Sequence, residues 1–420
     1  MIRKSALLML IMFIATARER LHAEEKDTLA VSTEKRIERI EKKLKKLGDF
    51  SLSGYILLQW QLAESPDAMG VAAGGAFNGA NNRFTIREGR IKLTYTKGIV
   101  QAVFQPDFTE RGVSVKDVYM RLTSKNKLVS GQGGIFDRPF GYEISHSAVL
   151  RESPERSRLF LSLFPGERDV GAAVHLNGFK KLEGFSLSAG VFNGNGVGRE
   201  TDKYKDFIGR LSWLGNVRSA EVGGAFSYYE GSVPNPVDNN YIYVPGIGFS
   251  RRSDIEVGSR AIRRYFGFSA KYKQEWVGGK TNIRAEYVFG QQPGNFETNA
   301  DPSGSSVAVA GLPLYLRDFH GMYLILVHDI AKTRHTIVGK FDFYDPNRRI
   351  SGSEIGLLQN TGAADVRYIT YGVGYIFRWN KHLRLMAYYD FVNSENCPNL
   401  AGYETRRLEN VFTARVQVNF

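Results

Sequence analysis

The 420-residue sequence holds one cysteine, Cys397, so no internal disulfide can brace the chain, and a lone thiol this far from the N-terminus is not a lipid-attachment residue. No apolar run of about 18 residues occurs, which excludes a transmembrane helix. Histidines are scarce: the seven (His22, His146, His175, His320, His328, His335 and His382) are scattered, without an HExxH spacing or an evident Ser or Asp partner. No metal or cofactor is therefore expected, and a barrel enzyme, which would need a convergent catalytic group, is only a remote alternative.

Glycine (44), phenylalanine (27) and tyrosine (21) are abundant, while the mean hydropathy is −0.27, the average of a soluble protein. Glycine and aromatics in a polar chain of this length suit one large closed sheet better than two or three soluble domains. At the N-terminus, Arg3 and Lys4 precede an apolar stretch from Ala6 to Ala15 and then Ala15-Thr16-Ala17, the layout of a signal peptide. Residues 1–23 are assigned to it, with cleavage after 17 or after 23, where Leu21-His22-Ala23 offers a second site. Export argues against nucleic acid as a partner, despite a net charge of +13, and so does the dispersal of basic residues along the chain.

Residues 32–48, STEKRIERIEKKLKKLG, place Ile37, Ile40, Leu44 and Leu47 on one helical stripe, with Ser32 or Thr33 to cap and Gly48 to stop. Two heptads are too short to stand alone in water, so this helix is either a solvated spacer or a short oligomerising coiled coil.

From Asp49 onward the period changes to two. In DFSLSGYILLQWQL, Phe50, Leu52, Ile56, Leu58, Trp60 and Leu62 share one face, while Ser51, Ser53, Tyr55, Gln59 and Gln61 share the other. The pattern recurs about sixteen times and ends in NVFTARVQVNF, where Phe412, Ala414, Val416, Val418 and Phe420 alternate with Thr413, Arg415, Gln417 and Asn419. Connections alternate too: the long segment near 63–82 is followed by the short turn TKG, a moderate one spans 107–114, and SKNK, GFKKLEG, EWVGGK and NKH are short. Long loops on one side and short turns on the other characterise outer-membrane barrels. A closed barrel satisfies every backbone polar group in lipid without leaving an edge. Residues 49–420 are therefore predicted to form an all-β, sixteen-stranded antiparallel transmembrane β-barrel in the bacterial outer membrane, closed by its first and last strands. The alternating C-terminal strand with its terminal Phe420 also resembles the signal that hands such proteins to their insertion machinery.

A sixteen-stranded barrel has a lumen wide enough for water, so inward side chains are expected to line a channel rather than pack as a core. Residues 1–48 carry a net +5 and the remainder +8. Arg83, Arg121, Arg210, Lys271, Lys273, Arg284, Lys340, Arg378, Arg384 and Arg415 fall on the polar face, where basic residues attract anions. Each is equally readable as a wall residue paired with acids such as Glu286, Asp342 or Asp390. In RFTIREGRIKLTY the apolar parity changes between Ile86 and Ile91; a bulge at Glu88-Gly89 would restore it and bring Arg87 and Arg90 together near the lumen. Inward Tyr55, Tyr119 and Tyr265 would suit an aromatic track for sugars.

The run from RFTIREGRIKLTYTKGIVQAVFQPDFTERGVSVKDVYMRL through GQGGIFDRPFGYE, SHSAVLRESPERSRLF and FPGERDVG resembles the phosphate-selective porin O and P family. The likeness covers about Arg83 to Gly171. It implies a trimeric porin for small hydrophilic or anionic solutes, with a third loop near 137–169 folded inward, and basic pore residues at Arg87, Arg90, Arg151, Arg156, Arg158 and Arg168. With the polar-face residues Arg121, Lys271 and Arg284 these form the candidate anion-binding, pore-lining set. Two departures from the family pattern, Glu88 beside Arg87 and Glu167-Arg168-Asp169 at the loop exit, place acids at the constriction and weaken the expectation of strong phosphate selection. A sugar-guiding or non-selective general porin is the alternative.

Overall fold

The computed structural model describes residues 48–179, 182–302 and 311–420. The proposed signal peptide and all but the last residue of the proposed helix lie outside them. Sixteen strands form the wall. They are β1 (Phe50–Ala63), β2 (Asn82–Lys97), β3 (Val100–Thr109), β4 (Gly112–Thr123), β5 (Val129–Asp137), β6 (Arg168–Phe179), β7 (Leu182–Phe192), β8 (Asp206–Val217) and β9 (Ala220–Pro234). After a short hairpin, β10 (Asn240–Val244) and β11 (Gly248–Arg252), the wall continues with β12 (Arg260–Trp276), β13 (Gly279–Gly294), β14 (Leu314–Ile330) and β15 (His335–Asp345). It ends with β16 (Tyr368–Arg378), β17 (Leu383–Ser394) and β18 (Val411–Asn419). Chain neighbours pair antiparallel, β9 pairs directly with β12, and β1 pairs with β18 to close the sheet.

Two compact units are distinguished. One comprises residues 52–94 and 98–420; the other includes the strand ends at 48–51 and 95–97, where the Thr96 N–H donates to the Asp49 carbonyl (2.7 Å) and the Phe50 and Tyr95 rings lie 4.9 Å apart. The barrel seam lies in the first: Leu58 faces Val416 and Gln59 faces Arg415 across β1 and β18. Alternation holds there without a fault. Ile56, Leu58, Leu62, Val416, Val418 and Phe420 are exposed outward, while Gln59, Gln61, Thr413, Arg415 and Gln417 are buried inward. The same outward apolar face recurs around the wall, in Phe104, Met120, Val174, Leu211, Phe268, Leu324, Val373 and Phe391. Apolar surface on this scale is a lipid-facing belt, and the protein is a bacterial outer-membrane β-barrel.

Two details differ from the sequence reading. The moderate loop expected over 107–114 shrinks to Glu110-Arg111, because β3 runs on through Thr109 and β4 starts at Gly112. The second is larger: part of the lumen is a packed core. Loop L3 (138–167) carries helix α1 (Arg158–Leu163), which buries Leu159, Phe160, Leu163 and, just past its end, Phe164. These positions share one helical face. They pack with Phe140 against inward Tyr229, Tyr265, Phe319 and Tyr323; Phe164 meets Tyr265 edge-on at 5.7 Å, and Phe160 meets Tyr323 at 6.2 Å. Inward aromatics here meet the protein's own loop rather than water.

Candidate pore constriction

L3 is held against the inner wall by polar contacts on several strands. On β13, the Glu286 carboxylate accepts from the backbone N–H groups of Tyr142 and Glu143 (both 2.6 Å), the Tyr323 hydroxyl (2.8 Å) and the Ser269 hydroxyl (2.8 Å). On β15, Asp342 accepts from the Arg158 N–H (2.8 Å), and Lys340 lies 3.6 Å from Glu143. Glu143 in turn accepts from the Ser157 N–H (3.0 Å) and hydroxyl (2.6 Å), so an acid one turn of loop away serves the start of α1. Arg284 on β13 pairs with Glu152, and Arg384 on β17 donates to the Arg151 carbonyl (2.9 Å). Glu286 and Asp342, expected to neutralise neighbouring bases on the wall, thus bind the backbone of L3 instead.

The charged residues between L3 and strands β1–β6 and β18 form three neighbouring ion-pair sets within one cluster. Arg87 on β2 grips Glu155 of L3 with two parallel bonds, 2.6 and 2.7 Å. Arg415 on β18 approaches the same carboxylate at 3.6 Å. Arg90 lies between Glu88 (3.0 Å) and Asp107 on β3 (3.3 Å), and Asp107 also accepts from the Gly89 N–H (2.9 Å). Glu88 accepts from the Tyr55 hydroxyl (2.7 Å) and lies 3.7 Å from Arg151. Arg168 reaches Asp117 (3.1 Å), Asp137 (3.3 Å) and Glu167 (3.0 Å), and Glu167 pairs with Arg156. Phe84 and Ile86 point outward, as do Ile91 and Leu93, so the parity of β2 changes between them and Arg87, Glu88 and Arg90 all turn to the interior.

Burial works to raise the acids of L3, but their hydrogen-bonding and cationic partners outweigh it. His146 and Arg284 hold the Glu152 carboxyl down at about 2. Arg156 and Arg168 hold Glu167 well below the ordinary carboxylate range, and Arg87 lowers Glu155. These acids are ionised at any physiological pH, so the field of the arginines is largely cancelled where they stand.

Cavities lie on two sides of this group. One, of about 400 Å³, is lined by Tyr55, Arg90, Lys92, Asp117, His146 and Arg168 among others. A second, of about 290 Å³, is lined by Gly74, Arg87, Arg158, Glu297, Asn299 and Tyr368 among others. Arg87, Arg90, Arg151, Arg156 and Arg168 thus belong to one cluster. Arg158 is turned away from it, stacked 3.6 Å over the Tyr368 ring and 3.5 Å from Glu409. Arg121 donates to Gln132 on β5, Lys271 pairs with Glu221 at 2.7 Å, and Arg284 serves Glu152; these three do not join the cluster. The three tyrosines form no track: Tyr265 is fully enclosed in the α1 core, Tyr55 is tied to Glu88, and Tyr119 stands beside Phe136.

The sequence reading missed Glu155, Glu152 and Glu143. For Glu152 and Glu155 the signal was present in RESPERSR, residues 151–158, where acids alternate with the arginines singled out.

The barrel fold is shared with solved structures. OprB of Pseudomonas putida superposes with a TM-score of 0.61 at 10% identity, covering 90% of this chain and 96% of that one. The fold is one shared with solved outer-membrane channels and proteins. DcaP, an outer membrane channel of Acinetobacter baumannii, gives 0.53 at 11% identity over 88% and 97% of the two chains. OmpT of Vibrio cholerae in its trimer form gives 0.51 at 8% identity over 88% and 99%. No protein-family model matches the chain, and no curated protein matches its sequence. The closed outer-membrane barrel is therefore established by structure, and any solute preference rests on the residues of this chain.

Proposed function

We propose that the protein is an outer-membrane porin through which small hydrophilic solutes diffuse passively, with a preference for anions set by the arginine cluster. The observation that carries this reading is the pair of polar cavities separated by L3 and the β2 arginines. A loop anchored across a barrel lumen narrows the passage, and the fixed charges beside the narrow point discriminate among ions. Because Arg87, Arg90, Arg156 and Arg168 each have a carboxylate partner, the preference is modest. A phosphate or polyphosphate specificity, as in the family that residues 83–171 resemble, is the finer form of the proposal. The loss of the tyrosine track leaves a weakly selective general porin as the second reading, favoured by the same ion pairs.

Single-channel recording in planar bilayers tests both. Discrete conductance steps are expected, with a reversal potential in a KCl gradient that favours chloride. Silence in the bilayer would remove the pore, whereas a potential favouring potassium would remove only the anion preference. If phosphate at millimolar concentration left the chloride current unchanged, phosphate specificity would be withdrawn. We also propose a homotrimer, reported by a heat-sensitive band of low mobility on gels; deletion of residues 32–47 should weaken that band if the segment is an oligomerising coiled coil. Membrane insertion through the C-terminal strand is part of the same reading.

A further inference from the structure

The carboxylate of Glu155 occupies an unusual position. It belongs to L3, yet it is held between guanidinium groups of two wall strands, bidentate to Arg87 on β2 and 3.6 Å from Arg415 on β18. Two parallel N–H···O bonds are the geometry in which arginine recognises a planar carboxylate. More cationic donors stand nearby than acceptors. Arg151, only 2% exposed, has no hydrogen-bond acceptor at Nε, Nη1 or Nη2 among the described residues, and Arg415, also 2% exposed, has none at Nη1. Buried donors without acceptors are costly, and an acceptor on a bound solute would relieve that cost.

The pair is also reachable. Gly74, in the loop after β1, has φ +78°, and a Cβ there would stand 2.8 Å from Arg87 Nε and 3.0 Å from Glu155 Oε1. Any side chain at this position would crowd the ion pair; glycine leaves Arg87 at the wall of the 290 Å³ cavity, with the buried Glu155 carboxylate directly behind it.

We propose that Glu155 is a specificity-determining residue that fills, with its own side chain, a seat for small monocarboxylates between Arg87 and Arg415. A permeating carboxylate takes its place, and the tethered Glu155 returns to displace it. This inference rests on the pore reading above. The tether gives Glu155 a high local concentration, so a free carboxylate competes poorly and leaves readily, as conduction requires. Glu155 thereby lowers occupancy by anions and keeps the passage from becoming a trap.

The test uses the full-length protein in planar bilayers, wild type against Glu155→Gln, with sodium acetate and sodium perchlorate as probes of equal charge and different shape. In the variant, half-block of the chloride current by acetate should occur at a concentration at least tenfold lower than in wild type, while perchlorate sensitivity changes much less. Equal gains for both anions would reduce the residue to a field effect and overturn the seat, and so would no gain for either. Glu155→Asp, which keeps the charge but is one methylene too short for the bidentate grip, should be intermediate for acetate and remains informative if the glutamine variant fails to fold. Adding Arg87→Gln to Glu155→Gln should abolish the acquired acetate sensitivity; if it persists, the seat is not where the structure assigns it. A wild-type protein without conductance steps would count against the pore itself, whereas a conducting wild type with unresponsive variants would count against the seat alone.

Discussion

A methyl group at Gly89 would meet the Phe108 carbonyl oxygen at 2.6 Å, and its backbone N–H already serves Asp107. The residue lies where β2 changes parity, so a side chain there strains the strand that turns Arg87, Glu88 and Arg90 inward. Gly89→Ala should destabilise the barrel by about 1–3 kcal/mol, read as a lower urea midpoint for the loss of the compact gel band. The apolar parity change was legible in the sequence, since Ile86 and Ile91 cannot share a face of a regular strand. Asp107 as the partner of Gly89 and Arg90 was not, because it comes from the next strand and depends on register.

Among the elements, L3 is the one held against the inner wall by side chains of several strands, and its anchors can be tested one at a time. Glu286 receives two backbone N–H groups of the loop together with two hydroxyls. Glu286→Ala leaves those donors buried without an acceptor, at about 1–3 kcal/mol each at most, and should free that end of the loop. Open-channel noise is expected to rise and mean conductance to increase; an unchanged trace would show that the α1 core alone holds L3. The loop also fixes the acid limit. Glu152 has a carboxyl lowered from 4.5 to about 2, so its pairing with Arg284 stabilises the fold fully above pH 4.5, declines below it and is gone near pH 2. Conductance recorded from pH 7 to pH 5 should therefore be steady with respect to this tether, with gating appearing between pH 4.5 and 2; in Glu152→Gln, which has no carboxyl to protonate, that gating should already be present at pH 7.

The whole molecule is governed by which face of each strand meets lipid. Val416 and Gln417 are neighbours on β18, but one is exposed outward opposite Leu58 and the other is buried inward beside Arg384. Val416→Arg puts a charge on the lipid face and should cost up to about 2–4 kcal/mol in folding, according to its depth. Gln417→Arg on the inner face should cost much less, and its effect should be read in the current rather than in stability. Equal losses in both would contradict the assignment of faces.

Sequence by itself determined the strands, their number and the face each turns outward, because side chains on a pleated strand alternate whatever lies beside it. The two-residue period from Phe50 to Phe420 was sufficient for that. Tertiary structure decided what fills the inside. Tyr265 looked like a residue of a water-filled lumen and is instead, with Tyr229, the floor on which Phe164 of α1 packs. Arg87 looked like a free cation and is matched by Glu155, 68 residues further along the chain. No local period encodes such a meeting: it depends on the path of L3 across the lumen, and in a buried setting a charge is defined by the partner that reaches it.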